Sequence, residues 1–263
     1  VARASGVSYQ TVSRVINDHE RVHPETRARV LAAVEALGYH PNSAARTLVT
    51  GRGSTVAVVA SNTSLYGYAR TLEGIEDAAW AAGYTVNITV LRSPDRSDRA
   101  DAVERLLAQP LDGLIAFTQD DLAQAAVERV PPRMPVVTVF GTGAGDRLHA
   151  LIDEEGGARA ATRYLLELGH RMVHHVAVPP HLPAGRLLGW RTALEQAGAP
   201  LPEPIPVTWE PGSGYEAGLT LARQRDVTAV LAGNDDIATG LIRALIENGR
   251  DVPRDVSVIG FDD

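Results

Sequence analysis

From residue 55 to residue 261 short apolar runs and helical patterns take turns along the chain, and no other feature restricts the fold so much. Apolar runs of strand length cover 55–60, 85–91, 111–117 and 135–140. Stretches with apolar residues at helical spacing separate them at 72–82, 101–108 and 122–130. A second round follows, with strands at 172–178, 205–209, 229–232 and 256–261. Its helices fall at 155–168, 186–197, 215–225 and 237–248. Strands joined through helices pair in parallel and are buried on both faces. The pattern predicts an α/β fold with parallel sheets flanked by helices, in two similar subdomains with a cleft between them. Ligands of such sheets bind outside the carboxyl ends of the strands.

The first 52 residues have a different texture. Val7, Val12, Val15 and Ile16 form one apolar stripe at helical spacing. Tyr9, Gln10, Ser13, Arg14 and Asn17 share the opposite face, which consists almost wholly of hydrogen-bonding side chains. Ser8 stands where an N-cap belongs, and Gly6 supplies a tight turn from the preceding Val1–Ser5 stretch. Two short helices around a Gly-containing turn, the second with a polar face, make a helix-turn-helix. A further helix is predicted over 25–37, with Pro24 at its start and Gly38 at its end. Its apolar positions are Val30, Leu31, Val34 and Leu37. Residues 41–53 are small and polar apart from Leu48 and Val49, too short for a stable isolated helix. They read as a linker that folds when a partner holds it.

Charge divides the chain in the same place. Residues 1–52 carry seven arginines against Asp18, Glu20, Glu25 and Glu35, a balance of +3, whereas the whole chain of 263 residues has a net charge of −7. A basic head on an acidic body suits a DNA reader joined to a sensor. The absence of cysteine excludes disulfides and thiolate metal sites, in keeping with a cytoplasmic location. No apolar run reaches the length of a membrane span, and no signal-peptide pattern opens the chain. Every basic residue is arginine, which reads as genome composition bias. Both ends read as interrupted: residues 1–4 resemble the middle of a first helix, and Asp263 follows directly on an apolar strand.

The run Gly6-Val7-Ser8-Tyr9-Gln10-Thr11-Val12-Ser13-Arg14-Val15 resembles the recognition helix of the LacI/GalR family of bacterial transcription factors. Val22-His23-Pro24-Glu25-Thr26-Arg27 and Leu37-Gly38-Tyr39-His40-Pro41-Asn42 are similar to that family's third helix and its exit. Leu168-Gly169-His170-Arg171, Gly233-Asn234-Asp235 and Val258-Ile259-Gly260-Phe261-Asp262-Asp263 resemble markers of its effector-binding core, in the expected order. The resemblance implies an N-terminal helix-turn-helix DNA-binding domain (1–40) and a hinge (41–53). It also implies a two-subdomain periplasmic-binding-protein-like core, split into 54–153 and 154–263.

By that resemblance, Tyr9, Gln10 and Arg14 read base edges, where Arg pairs bidentately with guanine and Gln with adenine. Ser8, Thr11, Ser13 and Asn17 hold phosphates and set register. Asn42, Ala45 and Leu48 match a hinge helix that enters the minor groove, with Leu48 as the wedge. One recognition helix spans few base pairs, so the implied partner is a near-palindromic double-stranded operator bound by a homo-oligomer, at least a dimer.

By the same resemblance, Arg186, Asn234 and Asp262 are expected to hold a small effector, a sugar or sugar derivative, with Tyr66 and Phe140 on the opposite wall; Tyr68 follows the same strand. Asp235 is expected to cap the helix that follows it, and Trp190 and Trp209 to pack in the core. Phe140 and Ser213 depart from the acid and the Trp of the lactose-responsive type, so a lactose-type effector does not come with the resemblance.

Other signals are weaker. Gly141-Thr142-Gly143-Ala144-Gly145 lacks the dinucleotide spacing. His170, His174 and His175 lack paired acids at ligand spacing. No nucleophile elbow or phosphate loop is present, so neither cofactor nor metal is implied and the chain is not expected to be an enzyme. The competing readings are a periplasmic-type sugar-binding protein, opposed by residues 1–52, and a sugar-modifying α/β enzyme, opposed by the lack of a catalytic constellation.

Overall fold

A computed structural model describes residues 1–16, 21–39, 53–91, 96–118, 121–140, 147–179 and 185–262. The chain separates into two compact units, Val1–Ser54 with Pro110–Asp112, and Thr55–Gln109 with Gly113–Asp263.

The first unit holds α1 (Ala2–Ser5), α2 (Tyr9–Ile16) and α3 (Pro24–Ala36). Gly6 ends α1 at φ +66°, a left-handed conformation that glycine adopts without steric cost. Ser8 caps α2: its Oγ accepts from the Thr11 amide at 3.2 Å. Val12, Val15 and Val30 form a small core, with Val1, Ala2, Val7, Ile16, Val22 and Val34 packed around it. The apolar stripe expected on α3 is only half right. Val30 and Val34 face inward, but Leu31 and Leu37 are exposed and Ala33 takes a buried place. Three short helices leave a core too small to cover every apolar position on α3.

The second unit contains two parallel sheets. In the first, β1 (Thr55–Ala60), β2 (Thr85–Val90), β3 (Gly113–Phe117), β4 (Val136–Val139) and β5 (Leu148–Ala150) run in the order β2-β1-β3-β4-β5. The intervening helices are α4 (Tyr66–Ala81), α5 (Arg96–Leu107) and α6 (Asp121–Val127). In the second sheet, β6 (His174–Ala177), β7 (Ile205–Pro206), β8 (Ala229–Ala232) and β9 (Ser257–Ile259) run β7-β6-β8-β9. Its helices are α7 (Glu154–Glu167), α8 (Gly185–Gln196), α9 (Pro211–Ala222) and α10 (Asp235–Glu247). All pairings are parallel.

The two-residue period of β8 builds the second half. Ala229 and Leu231 point into a cluster with Leu165, Trp190 and Leu194 of α7 and α8. Val230 and Ala232 point into another, with Leu221, Ile237, Leu241 and Leu245 of α9 and α10. One fully buried strand thus holds a helix layer on each face, which is why it reads as an unbroken apolar run. The first sheet repeats the scheme at β1, where Val58 and Ala60 pack with Tyr68, Phe117 and Val139, and α4 adds Leu72 and Ile75.

Helices α4, α5 and α9 all start earlier than their apolar periodicity predicts, and one strand is unexpected. α4 starts at Tyr66, six residues earlier than its apolar periodicity suggests, because its first turn buries only Tyr68. β5 was not anticipated. It is a three-residue edge strand with every residue exposed, so it has no apolar run to announce it.

Candidate functional site

On α2 the polar face stands clear. Tyr9 is 82% exposed, Gln10, Ser13 and Arg14 are exposed, and Val12 and Val15 are buried beneath them. Ser8 and Thr11, expected to hold phosphates, bond each other through their hydroxyls at 2.9 Å while Ser8 caps the helix. The N-terminal amides of α2 and these hydroxyls form a donor-rich end on which a phosphate can sit. Asn17, Asn42, Ala45 and Leu48 lie outside the described residues, as does the glycine run at 141–145.

In the second unit, Leu65, Gly67, Tyr68, Phe140, Ile152, Glu154, Arg186, Trp209, Asn234 and Asp262 enclose a cavity of about 30 Å³. They follow the carboxyl ends of strands from both sheets, the place expected for a ligand in such a fold. The volume admits one or two waters.

Arg186 is the hub. It stands in the first turn of α8 and donates through Nε to Glu154 Oε1 at 3.2 Å, and through one terminal nitrogen to the same oxygen at 2.9 Å and to Asp262 Oδ1 at 3.2 Å. Its other terminal nitrogen donates to the Gly233 carbonyl. The guanidinium lies 4.1 Å from the Phe261 ring centroid and 5.8 Å from that of Trp209. Most of its donors are already taken, so the open hydrogen-bonding capacity at this end of the cavity is largely carboxylate oxygen.

Burial pushes the Asp262 carboxyl up to about 6 against the pull of Arg186, and Asp235, Glu154 and Asp236 add to the rise. Asp262 sits at φ +113° and Phe140 at φ +66°. Both are left-handed backbones in residues with a Cβ, a strain that clusters at functional sites.

Several expectations change place. Asn234, not Asp235, caps α10: its Oδ1 accepts from the Ile237 amide at 2.8 Å. Asp235 is instead the first helical residue, where its amide donates to the Phe261 carbonyl. Asn234 is buried beside the cavity with its carbonyl committed, so its amide nitrogen is the chief group it can offer a ligand. Tyr66 is 42% exposed on the first turn of α4, and Tyr68, two residues on, takes the wall position. There the Tyr68 ring stacks on Phe140 at 5.6 Å, and Phe117 meets both.

Trp190 is fully buried, donating to the Val173 carbonyl at 2.9 Å, but Trp209 lines the cavity. Ser213 closes a local turn on Thr208 and Glu210. Sequence reading missed Glu154. It stands between Asp153 and Glu155 at a helix start, where acids are expected for dipole reasons alone, so no local signal singled it out.

Among the described residues no group of three or more His, Asp or Glu side chains is arranged to hold a metal. No described helix is long and apolar enough to cross a membrane.

Comparison with known proteins matches both ends of the chain to described families. Residues 1–42 match the family described as bacterial regulatory proteins, lacI family, and residues 162–263 match a periplasmic binding protein-like domain. The HTH-type transcriptional regulator CelR of Thermobifida fusca is 37% identical over 277 residues, covering 100% of this chain and 81% of CelR. The chain belongs to the LacI family of bacterial regulatory proteins. The HTH-type transcriptional repressor PurR of Yersinia pestis is 36% identical, over 100% of the chain and 79% of PurR.

Among solved structures, the lac repressor dimer bound to operator and the anti-inducer ONPF superposes on this LacI-family regulator with a TM-score of 0.86. The two are 31% identical over 100% of this chain and 81% of that one. A CelR–cellobiose complex gives 0.70 at 33% identity, with the same coverage.

Proposed function

We propose that this LacI-family regulator represses carbohydrate-utilisation genes by binding a near-palindromic operator as a homodimer or larger homo-oligomer, under control of a sugar-like effector in the cavity. The observation that carries the DNA half is the capped α2 helix with Tyr9, Gln10 and Arg14 exposed over a valine core. Tyr9, Gln10 and Arg14 read bases; Ser8, Thr11, Ser13 and Asn17 contact phosphates; Asn42, Ala45 and Leu48 enter the minor groove. The assignment divides the chain into a reading head (1–40), a hinge (41–53) and two core subdomains (54–153 and 154–263). The protein acts in the cytoplasm and is not an enzyme.

The effector half rests on the polar cluster of Arg186, Glu154, Asn234 and Asp262 facing an aromatic wall of Tyr68 and Phe140, with Trp209 beside it. Carboxylate oxygens accept from sugar hydroxyls while aromatic rings cover the apolar face of a sugar ring. A CelR–cellobiose complex that is 33% identical over the whole of this chain supports a glycan effector here. A cavity of about 30 Å³ is smaller than a sugar ring, so effector binding calls for a more open arrangement of the cleft residues. That difference supplies the two states between which effector and operator choose.

The test pairs footprinting on a library of palindromic duplexes with calorimetry against a panel of mono- and disaccharides. A protected palindrome and one saturable sugar whose addition changes operator affinity are the expected results. Protection of no duplex sinks the DNA reading, and heat from none of the sugars sinks the effector reading.

A further inference from the structure

Where the chain enters β1, three features coincide. Asp112 accepts from the Gly53 amide through Oδ1 at 2.9 Å and from the Ser54 amide through Oδ2 at 3.0 Å, so each carboxylate oxygen holds one of two successive backbone N–H groups. Gly53 passes so close to Pro110 that a Cβ would lie 1.8 Å from the Pro110 carbonyl oxygen, which leaves room for glycine alone. Ser54 adopts φ +49°, a conformation that persists in a residue with a Cβ only where its surroundings over-determine it. Among the described residues the other two of this kind, Phe140 and Asp262, line the cavity.

Both halves of this clasp run directly into the sheet. Ser54 continues as β1 and Asp112 as β3, and the two strands pair from Val56 opposite Gly113 to Val59 opposite Ala116. At the far end of β3, Phe117 packs its ring 5.3 Å from Tyr68 and 5.2 Å from Phe140, the two aromatic residues of the cavity wall. Five residues at strand rise make a hydrogen-bonded bar about 17 Å long. The clasp holds one end and the aromatic wall sits on the other.

We infer that Asp112 is a positioning residue for operator binding: by gripping the Gly53 and Ser54 amides it fixes the backbone conformation of the two residues that precede β1. The inference rests on the operator reading proposed above.

The test uses the full chain and fluorescence anisotropy with two duplexes of equal length, one palindromic with lac-type half-sites and one scrambled. Asp112→Asn keeps the shape but leaves one acceptor oxygen, Asp112→Ala removes both, and Gly53→Ala attacks the clasp from the other side. The expected result is at least tenfold weaker binding of the palindrome by Asp112→Ala and Gly53→Ala, with Asp112→Asn between them and the wild type. Binding of the scrambled duplex stays unchanged, and amide exchange at residues 53–54 accelerates. Palindrome affinity at the wild-type level in Asp112→Ala, despite faster exchange at 53–54, overturns the inference. So does an equal loss on both duplexes accompanied by lost helicity, since Asp112 then only supports the fold. Failure of the wild type itself to prefer the palindrome overturns the operator reading, and the inference falls with it.

Discussion

The α2 face and the cleft are wired in opposite ways. On α2 most of what orients Tyr9, Gln10 and Arg14 lies within a few residues: the turn at Gly6, the cap at Ser8, and Val12 and Val15 underneath, with Val30 of α3 closing the small core. In the cleft, Arg186, Glu154, Asn234 and Asp262 come from α8, α7, the β8–α10 junction and the end of β9; Arg186 bonds both acids, while Asn234 is held by its cap on α10. A locally wired surface can change its specificity one residue at a time. A cross-wired cavity couples ligand, charge and stability, so a substitution there is felt by residues far away in sequence.

Removing the hub should show that coupling at its largest. Arg186→Ala leaves Glu154 and Asp262 facing each other without their cation, and breaking a largely buried ion pair from one side costs about 3–5 kcal/mol. Urea unfolding should record that loss together with loss of sugar binding. A variant of wild-type stability would mean that the network is solvated and the contrast with α2 unfounded.

Acid should strain the second unit next. Burial holds the His175 imidazole down to about 4, opposed by its bond to the Leu231 carbonyl and helped by nearby Arg186. The folded state therefore prefers neutral His175. Its contribution is whole above pH 6.5 and is lost as pH falls toward 4, by at most about 3 kcal/mol. Denaturant midpoints from pH 7 to pH 4 should fall for the wild type and flatten for His175→Phe.

On α2 the effects should be smaller per site and confined to DNA. Gln10→Ala or Arg14→Ala should each cost about 1–3 kcal/mol of operator discrimination per half-site, with unfolding midpoint and sugar affinity unchanged. A changed sugar affinity in the absence of DNA would show that α2 is not self-contained.

Asp262→Asn tests the cleft from the other side. Because the Asp262 carboxyl is raised to about 6, the fold favours its protonated form, and the stability held below pH 4 is lost as pH rises through 6. The amide should stabilise the protein at pH 7 by about 1–2 kcal/mol, after discounting for partial exposure, while weakening sugar binding. A less stable Asn variant at pH 7 would show that the bond to Arg186 outweighs burial. The smallest change is Ser8→Ala, which removes the α2 cap and should cost about 1 kcal/mol, read as lower helicity and a slightly weaker operator complex.

The same contrast explains what could be read from the sequence. Strand β8 was legible to the residue because an apolar run buried on both faces has no alternative use, and α2 was legible because its stripe and cap are contiguous. β5 was silent because an exposed edge strand needs no apolar side chain. Asn234 and Asp262 were singled out at strand ends and Arg186 at a helix start, and the cavity does bring them together. Glu154 was hidden because an acid at a helix start is ordinary there, and only the arrival of Arg186 from α8 gives it a second role. Tyr66 and Tyr68 were indistinguishable by position, and the start of α4 decided between them by turning one ring outward and burying the other.

By itself, then, the amino-acid sequence determined the alternation of strands and helices, the reading helix with its cap, and the family. All of these depend on interactions between neighbours along the chain, or on whether a run of residues can leave water. Tertiary structure alone decided which side chains face each other across the cavity, which asparagine oxygen is spent on a helix, and how far Asp262 is pushed toward neutrality. Those outcomes depend on distances and burial between residues far apart in sequence, and Coulomb attraction and desolvation respond to separation in space.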